Sequence, residues 1–292
     1  MTARTIDHLV LPVISIEAAR ARHAALGFTV AADARHPFGT ENACVFLADG
    51  TYLEPLGIAS REECEAAARA GNVFVARDQA FRFRCGEGLS GIAITSDDAA
   101  SDDARYREAG LSAGAILEFS RPVRMPDGRD ATASFRLTFA ADLRAPDFFL
   151  FNCQRINPLP ADRGSLTTHE NGVSGIRSVV VVEENPSDFQ YIFEAAFDSR
   201  EIGANSFGID LVAGGTKVEV MTPEGARAYF GLEAQSAERG LRGRAVVFAC
   251  HDLGVTERRL VANGVAFSRQ GGRLSVPPAP GQGVTYIFEE QA

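Results

Sequence analysis

The sequence predicts an α+β protein in which one unit, a strand followed by a helix and three more strands, is repeated along the chain. The alternating apolar residues of TIDHLVLP are typical of a strand, and the segment that follows has helical spacing. Ser15 can cap that helix and Gly27 can end it. Three short strand-like runs, FTVAADAR, NACVFLA and TYLEPLG, complete the first unit.

The unit recurs three more times within the 292 residues. The second copy opens at LSGIAITSDD and its helix ends at Gly110, the third opens at GIRSVVVVEE, and the fourth opens at GRAVVFACHDL with a helix ending at Gly264. One unit leaves a face of its small sheet uncovered, whereas two units can curl their sheets into an incomplete barrel. Four tandem βαβββ modules therefore predict two half-barrel domains.

The composition of the chain places the domain boundaries. We predict a first domain over residues 1–156, with modules at 5–58 and 88–154, and a second domain over residues 173–292. Residues 157–172 are rich in polar residues, proline and glycine, which is typical of a linker.

Charge and composition exclude several function classes. The net charge of −9 argues against a surface that binds nucleic acid. There is no signal segment and no long apolar run, so we expect a cytoplasmic protein that does not bind a membrane. The five cysteines lack the spacing of a metal or redox motif and are expected to be reduced. No glycine-rich loop leads into a helix, so no nucleotide cofactor is expected.

Two polar residues interrupt strands whose other residues are typical of a core. His8 stands in the first strand, where alternation places it on one face with Ile6 and Val10, and Glu54 stands in TYLEPLG. An ionised carboxylate is costly to bury unless a cation, a proton or several donors meet it. A neutral imidazole and a carboxylate are also ligands preferred by Zn, Mn, Fe or Ni. Both residues are explained if the first barrel encloses a cavity.

Four stretches of the N-terminal half resemble a known family. IDHLVLPV, HPFGTENACVFLADGTYLEPLG, GEGLSGIAITSDD, and RPVRMPDGR followed by PDFFLFN resemble the vicinal oxygen chelate (VOC) superfamily and its glyoxalase-like branch. The resemblance implies two glyoxalase/bleomycin-resistance-like half-barrel domains. In metal-dependent members a His on the first strand and a Glu on the last strand hold a divalent ion, and His8 and Glu54 stand at those positions. His36, in a nearby loop, is the candidate for a third metal ligand.

The matching positions of the other copies cannot hold an ion in the same way. When the copies are aligned on the helix-ending glycines, the second copy has Gly91 and Phe151 in place of His8 and Glu54. The second domain is degenerate, and we expect it to be structural. Its matching positions hold Ser178 and Glu219 in the third copy and Ala245 and Phe288 in the fourth.

Other side chains are candidates for substrate contacts. Polar residues of the GTEN motif and a guanidinium of RMPDG border the cavity in the family, and a guanidinium can hold a carboxylate. Strand alternation can turn three phenylalanines inward. The predicted substrate-binding residues are His36, Thr40, Asn42, Arg124, Phe135, Phe149 and Phe151. His23, on the first helix, and His169, in the linker, are expected to be solvated.

Two functions are consistent with these residues. In the first, His8 and Glu54 are the catalytic residues of a glyoxalase-like enzyme acting on a small carbonyl or vicinal-oxygen substrate, with a divalent metal on His8, Glu54 and His36. Lyase, isomerase and dioxygenase chemistry all remain open, and Glu54 can instead serve as a general base whose pKa is raised by apolar neighbours. In the second, the chain is a metal-free protein of the bleomycin-resistance type that binds or sequesters a small molecule. A homodimer is the further partner that the sequence leaves open.

Overall fold

The computed structural model describes residues 3–124, 130–157, 163–233 and 239–291. Its first half contains β1 (Ile6–Pro12), α1 (Ile16–Ala25), β2 (Ala34–Arg35), β3 (Thr40–Asn42), β4 (Val45–Phe46), β5 (Tyr52–Ile58), α2 (Arg61–Arg69), α3 (Val73–Cys85), β6 (Gly91–Ser96), α4 (Ala99–Glu108), β7 (Leu117–Arg124), β8 (Asp130–Ala140) and β9 (Phe149–Arg155). Its second half contains β10 (Val173–Val182), α5 (Gln190–Phe197), β11 (Gly203–Asn205), β12 (Gly208–Ala213), β13 (Thr216–Met221), α6 (Pro223–Phe230), β14 (Arg242–Cys250), α7 (Leu253–Ala262), β15 (Ser268–Gln270), β16 (Arg273–Val276) and β17 (Thr285–Glu290).

The strands form two mixed sheets of the same plan. Over the described residues, the first sheet runs β2-β3-β5-β1-β6-β9-β8-β7, with β4 paired to β5, and the second runs β11-β12-β13-β10-β14-β17-β16-β15. In each sheet the first strands of two units meet antiparallel at the centre, and each of them is parallel to the last strand of its own unit. The predicted α+β architecture of four βαβββ units in two half-barrels is confirmed.

Local chemistry starts and ends the helices where the sequence predicts. The Ser15 side chain accepts a hydrogen bond from the Ala18 amide at the start of α1. After α1 the chain turns at Gly27, whose φ of +85° favours glycine. The Asp98 side chain caps α4 in the same way, accepting bonds from the amides of Ala100 and Ser101.

One hydrophobic core joins the two halves. It includes Leu9 and Leu11 of β1 together with Phe248, Tyr286 and Phe288 of the second sheet, all of them buried. The predicted boundaries at 156 and 173 stay a prediction, and the core shows that the two sheets share a large apolar interface. Within the described residues, no helix is long and apolar enough to span a membrane.

Two histidines that were expected to be solvated are buried at this interface, so that expectation is wrong. His23 lies on α1, where its ring nitrogens contact the carbonyl of Ala19 and the hydroxyl of Tyr286. His169 lies against the first sheet, where its Nδ1 accepts a bond from the amide of Thr29. Their partners are distant in the sequence, which is why the local pattern did not show them.

The inner face of the second sheet is filled by side chains. Val180, Ala245, Val247 and Ile287 pack there in a separate apolar cluster. The strand register also corrects the alignment of the fourth unit. Val247, which lies two residues after Ala245, pairs with Ile287. In the first unit Val10, which lies two residues after His8, pairs with Glu54 in the same way. Ile287, and not Phe288, is therefore the position in the fourth unit that matches Glu54.

Candidate functional site

The first sheet lines a cavity that is partly open to solvent, and the empty space in it and at its mouth is about 430 Å³. Polar side chains meet at one end of it, and aromatic and apolar side chains form the remaining wall. The described residues that line it are His8, His36, Asn42, Glu54 and Arg121 on the polar side, with Phe38, Tyr52, Phe74, Phe119, Phe135, Leu137, Phe151 and Cys153. A small, largely apolar ligand with one or two oxygen atoms matches this lining.

A β-bulge in β1 aims His8 into the cavity. Against β6, Ile6 pairs with Ile94 and His8 pairs with Ala93, so Asp7 is an extra residue on β1. The bulge breaks the alternation that would put Ile6 and His8 on one face, and Ile6 belongs to the core shared by the two halves. The predicted common face of Ile6, His8 and Val10 is wrong for Ile6 for this reason.

The bulge also lets Asp7 contact the ring of its neighbour. Asp7 Oδ1 lies 2.7 Å from His8 Nδ1, and Arg155 Nη2 donates to the same carboxylate at 2.8 Å. His8 stacks on Tyr52 with ring centroids 4.5 Å apart, and the ring of Phe151 meets it edge-on. These contacts fix the position of the imidazole and leave Nε2 facing Glu54, 3.4 Å from Oε2.

The surroundings of His8 and Glu54 favour the charged form of both side chains. Burial alone would favour a neutral ring, but the bonds to Asp7 and Glu54 raise the pKa of His8 to about 9. Burial would likewise favour a neutral Glu54, yet the hydrogen bond and charge of His8 hold its pKa below the usual value. The predicted rise in the pKa of Glu54 is therefore wrong, because an imidazolium outweighs the apolar surroundings. At neutral pH the site contains an imidazolium facing a carboxylate.

His36 and Asn42 complete the polar end of the cavity. Asn42 Nδ2 donates to Glu54 Oε1 at 2.7 Å, and His36 Nε2 lies 3.8 Å from the same oxygen. His36 Nδ1 lies 2.9 Å from Thr40 Oγ1. Burial lowers the pKa of His36 to about 4, so this ring is neutral. Thr40 does not line the cavity itself but holds His36 in place.

The three predicted metal ligands, His8, His36 and Glu54, meet at this end of the cavity. Two imidazoles and one carboxylate are a donor set that divalent transition metals accept, and partners such as Asp7 on His8 commonly support metal ligands. Yet among the described residues no group of three or more His, Cys, Asp or Glu side chains is arranged to hold an ion. His8 and His36 face different oxygens of Glu54. In this structure the three side chains contact one another, and the predicted metal site stays a prediction.

The remaining predicted contacts divide into three groups. Phe135 and Phe151 line the cavity. Phe149 is not among the lining residues, and its ring stacks against that of Phe151 with centroids 5.6 Å apart. The side chain of Arg124 lies outside the described residues, so its predicted contact stays a prediction.

A comparison with family models identifies the chain. The model described as a glyoxalase-like domain matches residues 6–197. This chain belongs to the glyoxalase-like domain family. The resemblance read from the N-terminal motifs is thus confirmed. No curated protein sequence matches the glyoxalase-like chain significantly.

Solved structures share the fold of the glyoxalase-like chain at low sequence identity. A hypothetical protein from Staphylococcus aureus has a TM-score of 0.67 and 13% identity, over 98% of this chain and 99% of that one. A mutant of 4-hydroxymandelate synthase from Streptomyces coelicolor has a TM-score of 0.62 and 18% identity, over 99% of this chain and 93% of that one. A Mn(II)-bound glyoxalase from Novosphingobium aromaticivorans has a TM-score of 0.55 and 10% identity, over 99% of this chain and 82% of that one. These likenesses show the fold of two half-barrels along the whole chain.

Sequence reasoning missed three charged residues around the site. Asp7 was overlooked because regular alternation turns it away from His8, and Arg155 because its partner is 148 positions away. Arg121 was overlooked although Phe119, two residues earlier on β7, shares its face and lines the same cavity. The alternation of FSRPVR was the signal that could have placed Arg121.

Proposed function

We propose that this glyoxalase-like chain is an enzyme that moves a proton on a small carbonyl compound with an apolar body, bound in the cavity of the first sheet. The observation that carries the proposal is the facing pair of His8 and Glu54, each held by a partner of its own. Asp7 fixes the imidazole and Asn42 fixes the carboxylate. When two titratable groups have pKa values shifted in opposite directions, the pair suits acid and base roles.

The roles follow from the charges. The Glu54 carboxylate accepts a proton from the carbon next to the carbonyl, while the His8 imidazolium donates a proton to the carbonyl oxygen. The intermediate is an enol. If the deprotonated carbon bears a hydroxyl group, the intermediate is an enediol, and protonated Glu54 can return the proton to the former carbonyl carbon; if the next carbon bears a leaving group, the enol can expel that group. The aromatic wall holds the apolar part of the substrate and excludes water, which strengthens both interactions. Isomerase or lyase chemistry fits this pair of steps.

A divalent ion is an alternative means of polarising the carbonyl. The Mn(II)-bound neighbour makes such an ion a candidate here, and the donors would be His8, His36 and Glu54. Bound there, it would act as a Lewis acid on the substrate oxygen. Elemental analysis of the purified protein separates the two cases. About one equivalent of metal, lost on His8→Ala or Glu54→Gln, would favour the ion, and a background level would favour the imidazolium.

Proton exchange measures the proposed reaction directly. Phenylacetone is apolar, enolisable and uncharged, and its methylene signal disappears from the proton NMR spectrum in D₂O when the carbon exchanges. We expect the protein to accelerate this exchange and Glu54→Gln to slow it by about 100-fold or more. Glu118→Gln is the matched control, because Glu118 is exposed on β7 and pairs with Arg136. Equal rates for Glu54→Gln and the wild type would contradict the proposal.

The second candidate function is metal-free binding of the bleomycin-resistance type. It is favoured by the second unit, whose matching positions, Gly91 and Phe151, contribute no polar group. Calorimetry with phenylacetone distinguishes the two. Binding without exchange in the wild-type protein would support a binding protein, whereas exchange that depends on Glu54 supports the enzyme.

A further inference from the structure

One cationic side chain of the cavity has a donor atom that meets no acceptor among the described residues. Arg121 extends from β7 into the lining, and its Nε atom is buried without a hydrogen-bond partner. No ion pair joins this guanidinium to any carboxylate in the part of the chain that the structure describes. Burying such a donor unpaired costs free energy, so the position favours a ligand that supplies an acceptor.

The carboxylates near the cavity are already engaged. Glu54 is bonded to Asn42 and faces His8, and Asp7 is bonded to His8 and Arg155. None of these bonds involves Arg121. The arginine is therefore not part of the polar network that holds the acid and base, and its charge is left for something that enters the cavity.

We propose that Arg121 binds the carboxylate of the substrate, and that the substrate class is a small monocarboxylate with an aryl or similar flat apolar group. A guanidinium suits this role because its planar donors match both oxygens of a carboxylate. The inference rests on the proposed function only for placing the substrate in this cavity.

The wall beside Arg121 matches the rest of such a molecule. Phe119 shares a face of β7 with Arg121, and its ring stacks on Phe135 with centroids 5.1 Å apart. Phe38 meets Phe119 edge-on at 5.2 Å. A ring lying against these aromatic side chains can keep a carboxylate one or two bonds away within reach of the guanidinium.

Two probes that differ only in charge test the proposal. Phenylacetate and phenylacetamide have nearly the same shape, and isothermal titration calorimetry measures the affinity of each. We expect the wild-type protein to bind phenylacetate about tenfold or more tightly than phenylacetamide. In Arg121→Gln, phenylacetate should bind as weakly as the amide, while the affinity for the amide is unchanged. Retained amide binding shows that the cavity is intact in the variant. Arg121→Lys, which keeps the charge, should restore part of the preference.

Arg136→Gln is the matched control, because Arg136 lies on the neighbouring strand β8 and pairs with Glu118 at the surface. It should bind both probes as the wild type does. Equal affinity of the wild type for the two probes, binding of neither, or unchanged phenylacetate binding in Arg121→Gln would overturn the proposal. Exchange of phenylacetone does not involve a carboxylate. If the protein did not accelerate this exchange but still preferred phenylacetate, the proton-transfer function would be refuted and the role of Arg121 would stand. If the exchange were accelerated but phenylacetate were not preferred, only the role of Arg121 would be refuted.

Discussion

His23 should make the stability of the fold sensitive to mild acid. Its Nδ1 lies 2.8 Å from the Ala19 carbonyl, which can only accept, so Nδ1 carries the hydrogen and Nε2 accepts from the Tyr286 hydroxyl 2.9 Å away. This arrangement needs a neutral ring. Burial lowers the pKa of His23 from 6.5 to about 4 in the folded protein. The substitution that removes the titration is His23→Gln.

The size of the effect follows from the two pKa values. Because the folded pKa is the lower one, the stabilisation by the neutral ring is complete above pH 6.5 and is lost as the pH falls toward 4. At pH 5 the unfolded chain has taken up the proton and the folded chain has not. The wild type should therefore lose about 2 kcal/mol more than His23→Gln between pH 7 and pH 5.

Urea unfolding followed by circular dichroism, at pH 7 and at pH 5, measures this difference in the free energy of unfolding. The loss between pH 7 and pH 5 must be compared between the wild type and His23→Gln, because other groups, His36 among them, also titrate in this range. Tyr286→Phe is the control, since it removes one hydrogen bond but leaves His23 buried and titrating. If His23→Gln showed the same loss between pH 7 and pH 5 as the wild type, the assigned tautomer and burial would be refuted.

The other predictions concern the site and the shared core. Proton exchange of phenylacetone should be fastest near neutral pH and fall as the pH rises above about 9, because the reaction needs His8 protonated; a rate that keeps rising beyond pH 9 would argue against His8 as the acid. Asp7→Asn should move this decline to lower pH, since it removes one of the charges that raise the pKa of His8, and an unmoved profile would show that Asp7 is not coupled to the ring. Phe248→Ala should lower the free energy of unfolding by about 3 to 5 kcal/mol in one transition. Two separate transitions would show instead that the halves fold independently.

The repeated architecture was predictable because it depends on local and periodic signals. Alternating apolar strands, capping residues such as Ser15 and helix-ending glycines such as Gly27 recur in the order that the structure shows. The meeting of His8 and Glu54 was predicted from the resemblance to the vicinal oxygen chelate superfamily, and in the structure the two residues lie on neighbouring parallel strands.

The missed features depend on contacts that no periodicity describes. The bulge at Asp7 depends on how β1 pairs with β6, and the sequence of β1 alone does not show it. The burial of His23 depends on Tyr286, which is 263 positions away. The direction of the pKa shift of Glu54 depends on the charge of His8, which in turn depends on Asp7.

The extra residue in β1 has a consequence for engineering this protein. Since Asp7 and His8 occupy one position of the ladder together, deleting either would restore ordinary alternation in the N-terminal part of the strand. The remaining side chain would then lose its neighbour, whichever of the two was kept. Mutant libraries should therefore vary these adjacent codons jointly, and grafting the site onto another scaffold would require copying the irregular backbone along with the side chains.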